Sequence, residues 1–282
     1  MTSVPLGTGS WVRNRAKEPA FNLVNMFFEK NPTNQAEQVA LIERPALVPF
    51  LTAGDGPGRR LYRQPGFSSG DLFHVSGPQL WKHHMNVNRT VTSTQITGLI
   101  DGTGRPDTAA DSDRLWITDG VSLQYTDGTA ALTAIATPDG IPMVSLDIFN
   151  GYVLCVQANS DRFYWIQPSA IVIDPLDFAT AERLPDAVKQ VRTVGDEIWF
   201  FGEKSIEPWR ATGDGSAPFQ RTEGRSFAHG IFDGTAVQMK STSIICVSDE
   251  GTVYEIAGTE QPISDPSVSE RTRDAILAAL GG

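Results

Sequence analysis

The residues of this 282-residue chain that bear on chemistry fall into a few short groups. Gly66-Phe67-Ser68-Ser69-Gly70 spells the nucleophile-elbow pattern, in which a serine is raised on a tight turn between a strand and a helix. Pro65 precedes this turn and the strand-forming Leu72 to Val75 follows it, so the flanks that would make Ser68 a nucleophile are missing. His83 and His84 are adjacent, and on a strand their side chains diverge, whereas a shared metal asks for histidines one helical turn apart. Gly54, Gly56 and Gly58 lack the strand and helix of a nucleotide loop and read as a flexible turn. The densest carboxylate group is Asp107, Asp111 and Asp113, beside Arg105 and Arg114. Paired carboxylates are what acid-base cleavage of a glycosidic bond needs, but nothing in the spacing matches a calcium loop, and the preferred reading is a solvated loop. Glu207 and Arg221, within or beside strands, are read as a structural ion pair in preference to a contact with another subunit. No catalytic residue, cofactor or metal is assigned.

The elements that would position these groups are almost all strands. Ile198 to Phe201 is an apolar run with strong strand preference, broken at Gly202 and Lys204 and resumed from Ile206 to Trp209. Val191 to Val194 with Gly195-Asp196 supplies a strand before it, so one antiparallel sheet of three or four strands is expected. The same grammar recurs at Leu72 to Trp81, at Leu115 to Tyr125 around Asp119-Gly120, at Asn150-Gly151, and from Ile244 to Ile256. The turn glycines Gly77, Gly120, Gly151, Gly195 and Gly251 follow one another at 43, 31, 44 and 56 residues. That is near the roughly 40 to 50 residues of a four-stranded propeller blade. Trp116, Trp165, Trp199 and Trp209 read as blade core. Helix is expected only after Ser267 or Ser269, carrying Ile276, Leu277 and Leu280, with a turn or two between Ala179 and Val188. The expected fold is all-β: a β-propeller of about five to six antiparallel blades over residues 51–260, an extended N-terminal arm over 1–50, and a short C-terminal helix or tail over 261–282.

Composition sets the outer limits. Forty per cent apolar residues suffice for a core, and 26 glycines with 18 prolines suit many short strands joined by turns. No apolar run is long enough to span a membrane and Met1 to Arg15 lacks a signal peptide, so a soluble protein made in the cytosol is expected. On that reading the sequon Asn88-Arg89-Thr90 has no meaning, and Cys155 and Cys246 are expected as buried thiols. Net charge is −10, concentrated in the C-terminal half. Tight duplex binding calls for the opposite balance, because counterion release by Lys and Arg supplies most of that affinity. An acidic surface suits a conduit through which DNA slides without sticking.

In the N-terminal arm, strand-like Asn22 to Glu29, a polar loop, and Val39 to Phe50 with its two prolines follow in order. The prolines exclude a central sheet position, which leaves two uses for the arm: completing a blade, or reaching a neighbour.

Taken together, the segments resemble the packaged-DNA stabilisation protein family, the tail hub (head completion) proteins of short-tailed phages. The resemblance rests on Asn22-Leu-Val-Asn25, Arg44-Pro-Ala-Leu47, Leu72-Phe-His-Val-Ser-Gly77 with Leu80, Phe149-Asn-Gly-Tyr152 and Arg162-Phe-Tyr164. It continues through Leu176-Asp-Phe-Ala-Thr-Ala-Glu182 with Pro185-Asp186, Trp199-Phe-Phe-Gly-Glu203, Ile206-Glu207, Gly213, Pro218-Phe-Gln-Arg221 and Val253-Tyr-Glu-Ile256. It implies a non-enzymatic virion protein: a tail hub that extends and helps close the DNA channel beneath the portal and its adaptor and stabilises packaged DNA. The implied partners are the adaptor (head-to-tail connector), the tail needle, nozzle or spike proteins, other copies of the chain in a ring of six, and DNA in non-specific transit. Asn22, Asn25, Phe27, Arg44, Glu207 and Arg221 are the candidate contacts with a subunit or the adaptor. The alternative reading is a propeller-type glycosidase or carbohydrate-binding module.

Overall fold

A computed structural model describes residues 26–30, 39–43, 51–181, 184, 186–235, 238–239, 243–257 and 259–262. The chain forms two compact units, residues 1–52 and 53–282. In the first, β1 (Met26–Lys30) and β2 (Val39–Glu43) pair antiparallel, with Phe27 opposite Ile42. Among the described residues these two strands form a sheet of their own and complete no blade.

Among the described residues the second unit contains five four-stranded antiparallel sheets, each built from consecutive strands in meander order. Blade 1 is β3 (Gly58–Arg63), β4 (Leu72–Ser76), β5 (Gln79–Met85) and β6 (Val91–Ile96). Blade 2 is β7 (Asp107–Ala110), β8 (Leu115–Thr118), β9 (Leu123–Thr126) and β10 (Thr133–Ile135). Blade 3 is β11 (Met143–Phe149), β12 (Tyr152–Gln157), β13 (Arg162–Ile166) and β14 (Phe178–Thr180). Blade 4 is β15 (Val188–Val194), β16 (Glu197–Gly202), β17 (Ile206–Ala211) and β18 (Phe219–Arg221). Blade 5 is β19 (Gln238–Met239), β20 (Ile244–Val247), β21 (Val253–Ala257) and β22 (Thr259–Pro262). The hairpins expected from the sequence are present, with Phe149 opposite Tyr152 across Asn150-Gly151 and Ile198 opposite Trp209. Asn150 and Gly151 have φ of 51° and 83°, the left-handed pair that a two-residue hairpin turn requires.

Two expectations about helix have different outcomes. The C-terminal helix lies outside the described residues. The turn expected between Ala179 and Val188 lies partly outside the described residues, and its first residues are strand: Phe178–Thr180 is the outer strand of blade 3, where Phe163 pairs with Ala179. Ladder pairing with β13 holds Ala179 and Thr180 extended and overrides the helix preference of the alanine.

The apolar runs are continuous because both faces of a blade are buried between its neighbours, and successive side chains on a strand point to opposite faces. In β16, Ile198 and Phe200 face the blade 3 side while Trp199 and Phe201 face blade 5. In β12, Leu154 and Val156 face blade 4, whereas Val153 and Cys155 face blade 2. Four cores result, one at each successive interface, and Trp116, Trp165, Trp199 and Trp209 are all buried in them. Phe163 and Phe200 stack across the blade 3–4 interface with centroids 4.1 Å apart, and Trp209 meets Phe163 edge-on at 5.1 Å. Cys155 and Cys246 are buried thiols in two different interfaces, which separates them. First strands lie innermost: β3 packs beside β7, β7 beside β11, and β11 beside β15. No described helix is long and apolar enough to cross a membrane.

Candidate functional site

Three inner strands carry the same irregularity near their start. Pairing slips by one residue between Gly58 and Arg60 in β3, between Met143 and Ser145 in β11, and between Val188 and Gln190 in β15. A bulge bends its strand and re-aims the extra side chain, here Arg59, Val144 and Lys189. Where these bulges come together the inner strands part around a cavity of about 290 Å³, whose wall includes Arg60, Arg105, Asp107, Ser145, Lys189 and Asp233.

Beneath it a polar network joins four blades. Asp107 of β7 takes both forks of Arg192 of β15, with Nη1 to Oδ2 and Nη2 to Oδ1 each at 2.7 Å, and both side chains are 9% exposed. Arg60 of β3 reaches Oδ1 at 3.3 Å and donates through Nε to Thr108 Oγ1 at 3.0 Å. Ser145 of β11 donates its hydroxyl to Asp107 Oδ2 at 2.7 Å and accepts the amide of Val191 at 3.1 Å. Tyr62 of β3 accepts the Ala110 amide, and burial pushes its hydroxyl up to about 12. Burial by itself would raise the Asp107 carboxyl; the charge and hydrogen bonds of Arg192, with Arg60 and Ser145, outweigh it and hold Asp107 below the usual carboxylate range.

Asp147, two residues along β11, behaves differently. Burial pushes its carboxyl up to about 6, although the charge of Arg192 pulls the other way. Two acidic groups with pKa values driven apart are a pattern seen in acid-base catalysis. Here, however, each oxygen of both groups already faces a donor of this chain: Asp147 Oδ1 accepts the Ile148 amide at 2.8 Å, and Oδ2 accepts the Thr193 amide at 2.7 Å. What the arrangement does is fasten inner strands to one another.

The residues singled out from the sequence are placed as follows. Ser68 sits on a turn with φ of 45°, as an elbow serine would, and donates to Asp71 Oδ2 at 3.0 Å. The other oxygen of Asp71 meets His84 Nδ1 at 2.7 Å. The three residue types of a charge relay are therefore present with the carboxylate in the middle. A nucleophile of the relay type needs the imidazole between hydroxyl and carboxylate, and here the Ser68 hydroxyl meets the carboxylate with no imidazole on it. His83 faces the other way, buried, with Nδ1 at 2.9 Å from Ser93 Oγ; burial, with His74 beside it, lowers its pKa. No group of His, Cys, Asp or Glu among the described residues is arranged to hold a metal. Asp111 caps a turn, accepting the amides of Asp113 and Arg114. That agrees with a solvated loop for Asp111 and Asp113, but Asp107 is the buried centre of the network, a correction that tertiary contact imposes. Glu207 is 1% exposed within β17, and Arg221 is exposed at the end of β18. Phe27 lies on β1, and Asn22, Asn25 and Arg44 fall outside the described residues. Arg192 and Ser145 were not singled out; the only signal was a charge inside an otherwise strand-forming segment, Val191-Arg192-Thr193-Val194.

Comparison with known proteins gives the following. The described fold is similar to a solved structure titled "YCF48 bound to D1 peptide", at 14% identity and a TM-score of 0.50, covering 81% of this chain and 72% of that one. It is also similar to the Cps50 (Swd1) beta-propeller domain of Myceliophteria thermophila, at 9% identity and a TM-score of 0.52, covering 73% of this chain and 72% of that one. At such identities the likeness concerns the propeller fold alone. Among curated proteins none matches in sequence. A family model described as "Bacteriophage P22 Gp10, beta-propeller" matches residues 2–280. Since that match runs through the hairpin arm and all five blades, the chain belongs to this phage stabilisation family, whose members are virion proteins that stabilise packaged DNA.

Proposed function

We propose that the protein is the hub of a phage tail, a non-enzymatic component that extends the DNA channel below the portal and adaptor, helps close it after packaging, and opens the path for DNA ejection. The family match over residues 2–280 is the observation that carries this reading. Other features of the chain support it. Each interface between successive blades is a full apolar core, and the inner strands are clamped by Asp107 and Arg192, which suits a part that bears load. The formal net charge of the chain is −10, which disfavours a tight grip on DNA passing nearby. In the tail the chain acts in a ring of six, with the adaptor on one face and needle, nozzle or spike proteins on the others. Exposed Arg221 and the arm carrying Phe27 are its candidate contacts.

The test is to measure the DNA retained by particles assembled with the gene interrupted. Heads that package and then leak are the expected result. Particles that stay full and carry complete tails would reject the hub and favour a carbohydrate-active role.

A further inference from the structure

The connection between β13 and β14 displays apolar side chains that the cores do not use. Residues 171–178 read Ile-Val-Ile-Asp-Pro-Leu-Asp-Phe, and Ile173 is buried in the core between blades 2 and 3. Ile171 and Phe178 are exposed, Val172 is 65% exposed and Leu176 83%. These are four of the eleven large apolar side chains exposed among the described residues, and they fall within eight positions. A lone exposed leucine needs no explanation; a cluster rimmed by polar groups marks a surface made for contact.

The connection holds them in a fixed display. Ile173 anchors its middle, the Asp177 amide donates to the Asp174 carbonyl at 3.0 Å, and the Leu176 amide donates to Asp174 Oδ1 at 2.9 Å. Gln167 Nε2 donates to Asp177 Oδ2 at 2.9 Å and the Trp165 amide to the Asp177 carbonyl at 3.1 Å, which fastens the turn to β13. Tyr164 and Arg162 lie against the Phe178 ring, at 5.7 and 4.5 Å. The exposure is that of the single chain, so within one copy this surface is uncovered.

The charge around it is negative. Between residues 159 and 181 stand Asp161, Asp174 and Asp177 against Arg162 alone. The chain also carries a segment of the opposite character: residues 1–17 hold Arg13, Arg15 and Lys17 and no Asp or Glu, although net charge overall is −10. Trp11 precedes these cations. In an extended strand Trp11, Arg13, Arg15 and Lys17 share one face, since side chains alternate. A face that is aromatic at one end and cationic along the rest complements an apolar surface with an acidic rim.

We propose that residues 11–17 of one copy dock on the β13–β14 connection of a second copy, with Trp11 against Val172 and Leu176 and the three cations beside Asp161, Asp174 and Asp177. The contact rests on the ring of copies proposed above for its supply of neighbours. It is tested on purified chains, so that it and closure of the DNA channel can fail separately.

The full-length protein is sedimented at increasing concentrations. Self-association is expected, and added salt should weaken it. Leu176→Ser removes an apolar contact, and Arg13→Glu combined with Arg15→Glu reverses the charge of the segment. Each is expected to raise the concentration needed for association at least about tenfold. Leu176 is largely exposed, so its variant should melt as the wild type does. The two variants are then mixed: each keeps the half that the other lacks, so pairs should form that neither forms alone. Wild-type protein that stays monomeric throughout, variants that associate as the wild type does, or a mixture that yields no pairs would overturn the docking.

Discussion

At the scale of single residues, the Asp107–Arg192 pair is the point on which most depends. Asp107→Asn leaves a buried guanidinium without its counter-charge, and we expect a loss of about 3–5 kcal/mol, measured as a lower urea midpoint at unchanged slope. Acid should act the same way: because the folded pKa of Asp107 is depressed, its contribution is present above the unfolded value of 3.8 and is lost as pH falls through the lower folded value. Asp147 has the opposite sign. Its folded carboxyl binds a proton more readily than the unfolded one, so stability from this group declines as pH rises from 3.8 through about 6. Urea midpoints across that window should vary less in Asp147→Asn than in the wild type; identical pH profiles would rule the assignment out. None of this was legible in the sequence. Asp107 looked like one of three loop aspartates, because its partner Arg192 lies 85 residues away.

At the scale of elements, the hairpins were readable and the bulges were not. Turn residues such as Asn150-Gly151 state their backbone conformation locally, whereas a bulge depends on how two paired strands fit a third. The segment Trp199-Phe200-Phe201-Gly202-Glu203 shows both kinds of constraint. Its alternate residues fill two different interfaces, and Gly202 is required because a Cβ there would collide with the carboxylate of Asp186. Asp186 in turn accepts the amides of Lys204 and Ser205 at 2.7 and 3.1 Å, closing the turn between β16 and β17. We expect Gly202→Ala to cost about 1–3 kcal/mol by breaking those bonds, with faster amide exchange at Lys204 and Ser205 as the specific readout. Phe200→Ala removes a ring stacked on Phe163 and should cost about 3–5 kcal/mol, read from the unfolding curve.

At the scale of the whole molecule, residues 53–282 form a compact unit separate from 1–52. A chain lacking residues 1–52 should therefore keep its β-type circular dichroism and melt cooperatively, yet fail to join the particle if the arm is a contact. Incorporation of the shortened chain at wild-type level would remove the arm from the interface. Between the blades stability is nearly a sum of neighbour terms, since each core is shared by two adjacent sheets. The polar network runs across that series, tying β3, β7, β11 and β15.

The sequence by itself determined the class of fold, the strands with their turns, and the burial of Trp116, Trp165, Trp199 and Trp209 and of the two thiols. Each of these is set by neighbours within about ten residues or by a residue's own preference for apolar surroundings. Only the tertiary structure decided that Asp107 meets Arg192 and that Ser68 and His84 share Asp71 without forming a relay. The first pairing joins strands two blades apart and the second joins a turn to a strand of the same blade, and how such elements are brought together is a quantity that no local pattern of residues encodes.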